Sequence, residues 1–178
     1  MLNLLHLHVR KKKSNTRIKA KFSKVQPWKE GLRIFWYSIF MKYWINVVSR
    51  DHVQRDIEGG FTQANHAKPW ALRKMSKDDW LIFYSPKTKF EDGEPLQAFT
   101  AMGQIIDDEP YEAQMTLTFH PWRRDVRFEH ITETPIRPLI DSFDFIENKT
   151  SWGYKFRFGI IEINEHYFQV IKNAAVLN

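Results

Sequence analysis

A chain of 178 residues with 43% hydrophobic content is long enough for one domain with a real core and too apolar for a disordered polymer. The absence of Cys excludes a disulfide scaffold, thiolate zinc sites and cysteine nucleophiles, and suits a reducing cytoplasm. The formal charge of +6 is uneven: residues 1–40 hold 10 Lys/Arg against the single Glu30, whereas residues 41–178 hold 17 against 20 Asp/Glu, so the body is slightly acidic and any polyanion site on it must be local.

Residues 1–26, with Arg10-Lys-Lys-Lys13, are too polar to bury a core. They read as a disordered extension, a mis-assigned start ahead of Met41, or an electrostatic arm for phosphates. Trp28 to Phe40 is more apolar and reads as a segment packing loosely on the body. The longest apolar stretch, Ile34 to Val48, is broken by Lys42 and falls short of the roughly 20 residues a membrane span needs. No small-residue cleavage site follows it, so no secretory signal and no membrane partner are expected.

From Met41 the pattern becomes regular. Tyr43 to Ser49 reads as a buried strand, and Asp51 as the cap of a short helix over His52 to Ile57 that Gly59-Gly60 stops. Residues 61–78 read as a long loop. Trp80 to Tyr84 is a second strand closed by Ser85-Pro86, and Leu96 to Ile106 a third, with Gly103 marking a bulge or bend. Met115 to Phe119 and Arg124 to His130 flank the Pro121 break as a fourth and fifth strand. Pro135 to Ile140 starts a short helix or turn. Phe156 to Ile163 is a last strand, and Asn164 caps a C-terminal helix with Tyr167, Phe168, Ile171 and Ala175 on one face. Five to six short strands with a few short helices predict an α+β domain built on a small mixed β-barrel.

Enzyme motifs are missing: there is no HExxH, no Gly-x-Ser-x-Gly, no phosphate loop and no His-x-Glu with a Cys pair. Asp107-Asp108-Glu109 reads as a solvated turn. No catalytic residue, metal site or cofactor is expected.

Five segments in order carry a family signal: Tyr43-Trp-Ile-Asn-Val-Val-Ser-Arg-Asp-His52; Asn65-His-Ala-Lys-Pro-Trp-Ala-Leu-Arg-Lys-Met75 running into Asp78-Asp-Trp-Leu-Ile-Phe-Tyr-Ser-Pro-Lys87; Gln97-Ala-Phe-Thr-Ala-Met-Gly-Gln-Ile105; Pro121-Trp-Arg-Arg-Asp-Val126 with Pro135-Ile-Arg-Pro-Leu139; and Trp152-Gly-Tyr-Lys-Phe-Arg-Phe-Gly-Ile-Ile-Glu-Ile163. Residues 41–172 resemble the EVE domain family, also called UPF0310, with a PUA-like fold related to YTH domains. The chain departs from the family pattern at Ala67 and Asp78, where Gly is common. Residues 1–40 have no counterpart in the family.

The resemblance implies binding without turnover, of a modified base in DNA or RNA. A flipped base needs an aromatic plane and a few edge donors or acceptors. On this reading Asn46, Val47, Val48, Ser49, Arg50 and His52 read the base edge, with His66, Tyr84 and Ser85 on the rim and Trp152 as the stacking plane. Arg123, Arg124, Lys155 and Arg157 contact phosphates, with Lys68 and Lys87 as weaker members. The alternatives are an interaction module of a larger defence or toxin system, and a nucleotide-directed enzyme using His52 or His66.

Overall fold

The computed structural model describes residues 41–63 and 69–176. In chain order these form β1 (Tyr43–Val47), α1 (Arg50–Gly59), β2 (Phe61–Gln63), a 3-10 turn (Leu72–Lys74), β3 (Trp80–Lys87), β4 (Pro95–Ile105), β5 (Tyr111–Glu112), β6 (Trp122–Glu129), β7 (Thr134–Pro135), 3-10 turns at Arg137–Ser142 and Trp152–Phe158, β8 (Ile160–Ile163) and α2 (Glu165–Val176). One mixed sheet runs β2-β6-β4-β3-β1-β8, with β5 added to β6 and β7 to β4. The β1–β3 pair is parallel (Tyr43 against Trp80, Val47 against Tyr84) and the remaining pairs are antiparallel. The class is the α+β one expected. The sheet curls into a half-barrel, and β2 and β8 end its strand order without pairing with each other. No helix among the described residues is long and apolar enough to cross a membrane.

Strand alternation builds two cores, one on each face of the sheet. Tyr43, Ile45, Ile82 and Tyr84 point to a cluster completed by Phe143, Phe156 and, from α2, Tyr167, Phe168 and Ile171. Trp44, Leu81 and Phe83 point the other way, onto Val53 of α1, Leu72, Ile105 and Val126. Asp79 locks the start of β3. Its buried carboxylate accepts from Lys42 N–H, Trp44 Nε1–H and Ser76 N–H, each at 2.9 Å. Asp78 beside it takes φ 72°, the left-handed region where Gly is at ease and Asp is tolerated.

Several elements differ from the sequence reading. The first helix starts at Arg50. Ser49 is its N-cap residue, and its carbonyl already accepts from the His52 and Val53 N–H groups. Gly60 ends it at φ 68°. Residues 61–63 are a strand, because the short Phe-Thr-Gln alternation pairs with Arg123–Asp125. Pro86 lies within β3 at a break in register between Ser85 and Lys87, where its missing N–H is not needed. Gly103 marks no bulge: its pairings are regular, and a Cβ there would come within 2.6 Å of Val126 and 2.7 Å of the Arg127 carbonyl, so it serves the close approach of β6. Met115 to Phe119 is the tip of a loop closed by the Met115 N–H on the Phe119 carbonyl. Residues 152–158 are a 3-10 turn, and the last strand begins at Ile160. Asn164 does cap α2, accepting from the Tyr167 N–H at 3.0 Å, and Tyr167, Phe168, Ile171 and Ala175 are its buried face.

Candidate functional site

A cavity of about 300 Å³ opens between α1, β2, the β3–β4 turn and the loop joining β5 to β6. It is lined by Val48, His52, Arg55, Asp56, Phe61, Gln63, Phe90, Met115, Phe119 and Arg123. Helical spacing puts His52 and Asp56 one turn apart on the same face of α1. The His52 ring lies nearly parallel to that of Phe90, 20° between planes and 5.5 Å between centroids, and Phe90 is 65% exposed. Across the cavity the Arg123 guanidinium sits 3.6 Å over the Phe61 ring and its Nε donates to Gln63 Oε1 at 3.1 Å. Both contacts follow from the β2–β6 register, which sets Gln63 opposite Arg123. The cavity therefore has apolar and aromatic walls with two guanidinium groups, Arg55 and Arg123, among them.

Asp56 is the buried charge-bearing group of this cavity, only 5% exposed. Burial pushes its pKa from 3.8 up to about 7, against the opposing pull of the Arg123 and Arg55 charges and of a hydrogen bond from the Gln63 backbone N–H. Burial and the Arg55 charge lower the His52 pKa, with the Asp51 carboxylate opposing. Among the described residues no group of three or more His, Asp or Glu is arranged to hold a metal.

Of the residues picked from the sequence, the structure brings Val48, His52 and Arg123 to this cavity. His66 and Lys68 lie outside the described residues. Asn46 is buried and its Nδ2 donates to Thr62 Oγ1 at 3.1 Å, bracing β1 against β2. Val47 packs on the first core. Ser49 is buried and donates to Asp51, while Arg50 is exposed and bonds Glu133 at 2.6 Å. Tyr84 is a core ring, 4.4 Å from Phe156, and burial pushes its hydroxyl pKa well up. Ser85 is fully buried against Thr100 at 2.8 Å. None of these side chains lines the cavity.

Trp152 stands on the opposite core, edge-on to Tyr84 and Phe156 with the Arg137 guanidinium 5.8 Å from its ring, and does not line the cavity. Lys155 and Arg157 share its 3-10 turn, Lys155 within 3.8 Å of Glu147 and Arg157 beside Tyr154. Lys87 is exposed at the end of β3. Arg124 is corrected outright. Its side chain is 1% exposed and all its recorded bonds point inward, from Nε to Asp107 Oδ1 at 2.7 Å, from Nη2 to the Asp107 carbonyl, and from Nη1 to the Leu72 and Met75 carbonyls. It has no free face for a phosphate, and Asp107, partly buried at the start of an otherwise exposed bend, is its counter-ion.

The sequence reading missed Arg55, Asp56, Phe61, Gln63, Phe90, Met115 and Phe119. A usable signal existed in the His52–Asp56 spacing, where a carboxylate shares a helix face with Val53 and Val48 nearby. Phe90 and Phe119 lie in connections that carry no periodicity, so nothing local pointed them at one another.

The fold and cavity define a small α+β half-barrel that presents an aromatic-walled pocket at one edge of its sheet. The EVE domain model matches residues 42–174. The UPF0310 protein of Mycobacterium avium (strain 104) is 63% identical over 134 residues, covering 75% of this chain and 97% of the relative. That of Bacillus licheniformis is 48% identical over 128 residues, covering 72% and 87%. The chain belongs to the EVE domain family. Similar solved structures include Atu2648 from Agrobacterium tumefaciens, at 14% identity, TM-score 0.49 and coverage of 77% of this chain and 95% of that one. They also include human THYN1 in complex with 5-methylcytosine-containing DNA, at 13% identity, TM-score 0.44 and coverage of 73% and 95%.

Proposed function

We propose that this domain binds DNA or RNA by taking a single base, one that carries a modification, into the cavity beside α1, and that it binds without turning the base over. The observation that carries this reading is the cavity itself: aromatic planes at Phe61, Phe90, Phe119 and His52, with Arg55 and Arg123 in position for backbone phosphates. The slightly acidic body has no need of a general basic surface if affinity rests on this one pocket. A buried methyl group adds only about 0.8 kcal/mol, so preference for a modified base comes mainly from the shape of the cavity. A cytoplasmic setting fits this reading and the lack of Cys.

The test is a binding screen of matched modified and unmodified oligonucleotides, DNA and RNA, at two salt concentrations. Modification-dependent binding should survive the higher salt, whereas plain backbone attraction collapses with it. Phe90→Ala should lower affinity by about 5- to 150-fold, the range of about 1–3 kcal/mol that one stacking plane contributes. Because Phe90 is exposed, the melting temperature should stay unchanged. Silence from every oligonucleotide would sink the reading.

A nucleotide-directed enzyme draws support from one observation, that Asp56 and His52 are two titratable groups in one cavity with pKa values moved in opposite directions. Product formation by the purified protein, abolished by Asp56→Asn, would establish it. We also propose that residues 41–178 form the whole folded domain and that residues 1–40 are an extension of it. A chain starting at Met41 should melt at the same temperature as the full chain; a lower melt or aggregation would make residues 28–40 part of the fold.

A further inference from the structure

Resting on the base-pocket reading, we infer that Asp56 selects the base: its carboxyl, in the acid form, pairs with an amidine edge, the ring-nitrogen acceptor beside an exocyclic amine that cytosine and adenine carry. Asp56 is the carboxyl group among the cavity-lining residues, held there by its place on α1 one turn after His52. Its recorded hydrogen bond comes from the Gln63 backbone N–H, and Arg55 and Arg123 act on it through charge alone. The charged or titratable residues facing it are His52 and Arg55 from α1 and Arg123 from β6. The lining residues from β2, the β3–β4 turn and the β5–β6 loop (Phe61, Gln63, Phe90, Met115 and Phe119) carry no charge. The walls are aromatic planes that would hold a base by its faces, which leaves its edge to meet this buried carboxyl.

The chemistry then separates the bases. A neutral carboxyl offers one O–H donor beside one carbonyl acceptor. An amidine edge offers the complement, so two parallel hydrogen bonds form. The proton between Asp56 and the ring nitrogen can sit on either side, because a carboxylate facing an amidinium keeps both bonds and makes them charge-assisted. Thymine, uracil and the N1/O6 edge of guanine are lactams. They pair with the acid, but on its ionisation they set a carbonyl oxygen against a carboxylate. The N1/N2 edge of guanine presents two donors and suits the ionised form alone. Burial keeps Asp56 protonated up to about pH 7, so the acid form is present under neutral conditions. Above that pH, binding a neutral cytosine or adenine must take up a proton, and affinity must fall.

The experiment uses the full chain and single-stranded oligonucleotides identical except for one central base, with cytosine, 5-methylcytosine, adenine, thymine or guanine at that place. Affinities are measured from about pH 6.5 to about pH 8.5, above the His52 range that burial and the Arg55 charge lower, so that titration of His52 weighs least on the slope. Cytosine and adenine should bind best, with affinity falling by up to about tenfold per pH unit above neutrality. Asp56→Asn places an amide N–H and C=O where the acid had O–H and C=O. It should retain affinity within about threefold at the lowest pH and lose the pH slope. Asp56→Leu should lose about tenfold or more. A pH-independent wild type, a guanine preference that strengthens with pH, or an unaffected Leu variant overturns the inference. Phe90-dependent binding that ignores Asp56 overturns this inference and leaves the base-pocket reading standing. Loss of all Phe90-dependent binding overturns both.

Discussion

Arg124→Ala is expected to lower the unfolding free energy by about 3–5 kcal/mol, among the largest single effects in the molecule. The guanidinium is 1% exposed and satisfies four acceptors at once: the Asp107 carboxylate, the Asp107 carbonyl and the carbonyls of Leu72 and Met75. The other Asp107 oxygen accepts from the Asp125 N–H at 3.0 Å. Truncation leaves a carboxylate 15% exposed without its counter-ion and strands the Met75 carbonyl, an unmet acceptor costing about 1–3 kcal/mol, while the Leu72 carbonyl keeps the Met75 N–H. The pair is not therefore stabilising relative to an apolar replacement, since desolvating two charges offsets most of their attraction. The expected pattern is a deep loss for Arg124→Ala and for Asp107→Ala and a partial recovery in Arg124→Met with Asp107→Leu, measured by urea unfolding. A loss below about 1 kcal/mol in the single variants would mean that water takes over the acceptors.

This pair also reaches the cavity. Arg123 and Arg124 are neighbours on β6, and strand alternation sends them to opposite sides. Arg124 anchors the 72–75 turn beneath the sheet while Arg123 lies over Phe61 in the pocket wall. From sequence the two arginines are equivalent, both following Pro121-Trp122 and both plausible at a phosphate. Only the pairing of β6 with β2 and the nearness of Asp107 decide which one turns inward.

The same distinction explains what else could be read in advance. The strands at Tyr43–Val47 and Trp80–Tyr84 announce themselves because they are buried on both faces and so are near-continuously apolar, and Pro95–Ile105 does so through its buried middle from Ala98 to Gly103. The capped α2 does so because Asn164 and its one-sided apolar stripe agree. The cavity is assembled from a helix, three connections, the start of β6 and a three-residue strand, and its members meet only through long-range pairing. Aromatic residues offered no help in isolation. Trp152, the most conspicuous of them, is spent on the edge of a core with Tyr84 and Phe156, whereas Phe90, in an undistinguished turn, flanks His52.

Asp56→Asn is expected to stabilise the folded protein at pH 8 and to leave its stability at low pH nearly unchanged. Burial raises the folded-state pKa from 3.8 to about 7, so between those values the native protein binds more protons at this site than the unfolded chain. Where the native state holds the extra proton, stability falls as pH rises. The contribution of Asp56 is therefore complete below about pH 4, declines through the interval and is gone above about pH 7. A shift of about 3 units corresponds to a ceiling on the order of 4 kcal/mol, and the group is buried deeply enough that solvent screening removes little of it. His52 runs the other way. Its lowered pKa contributes stability that is present above about 6.5 and is lost as pH falls through the folded value, which masks part of the slope in the wild type. The difference between Asp56→Asn and wild type cancels the His52 term, so melting curves of both proteins at about pH 5 and about pH 8 isolate Asp56. The variant's advantage should be much the larger at the higher pH; an equal advantage at both would mean that the carboxyl is solvated and titrates normally.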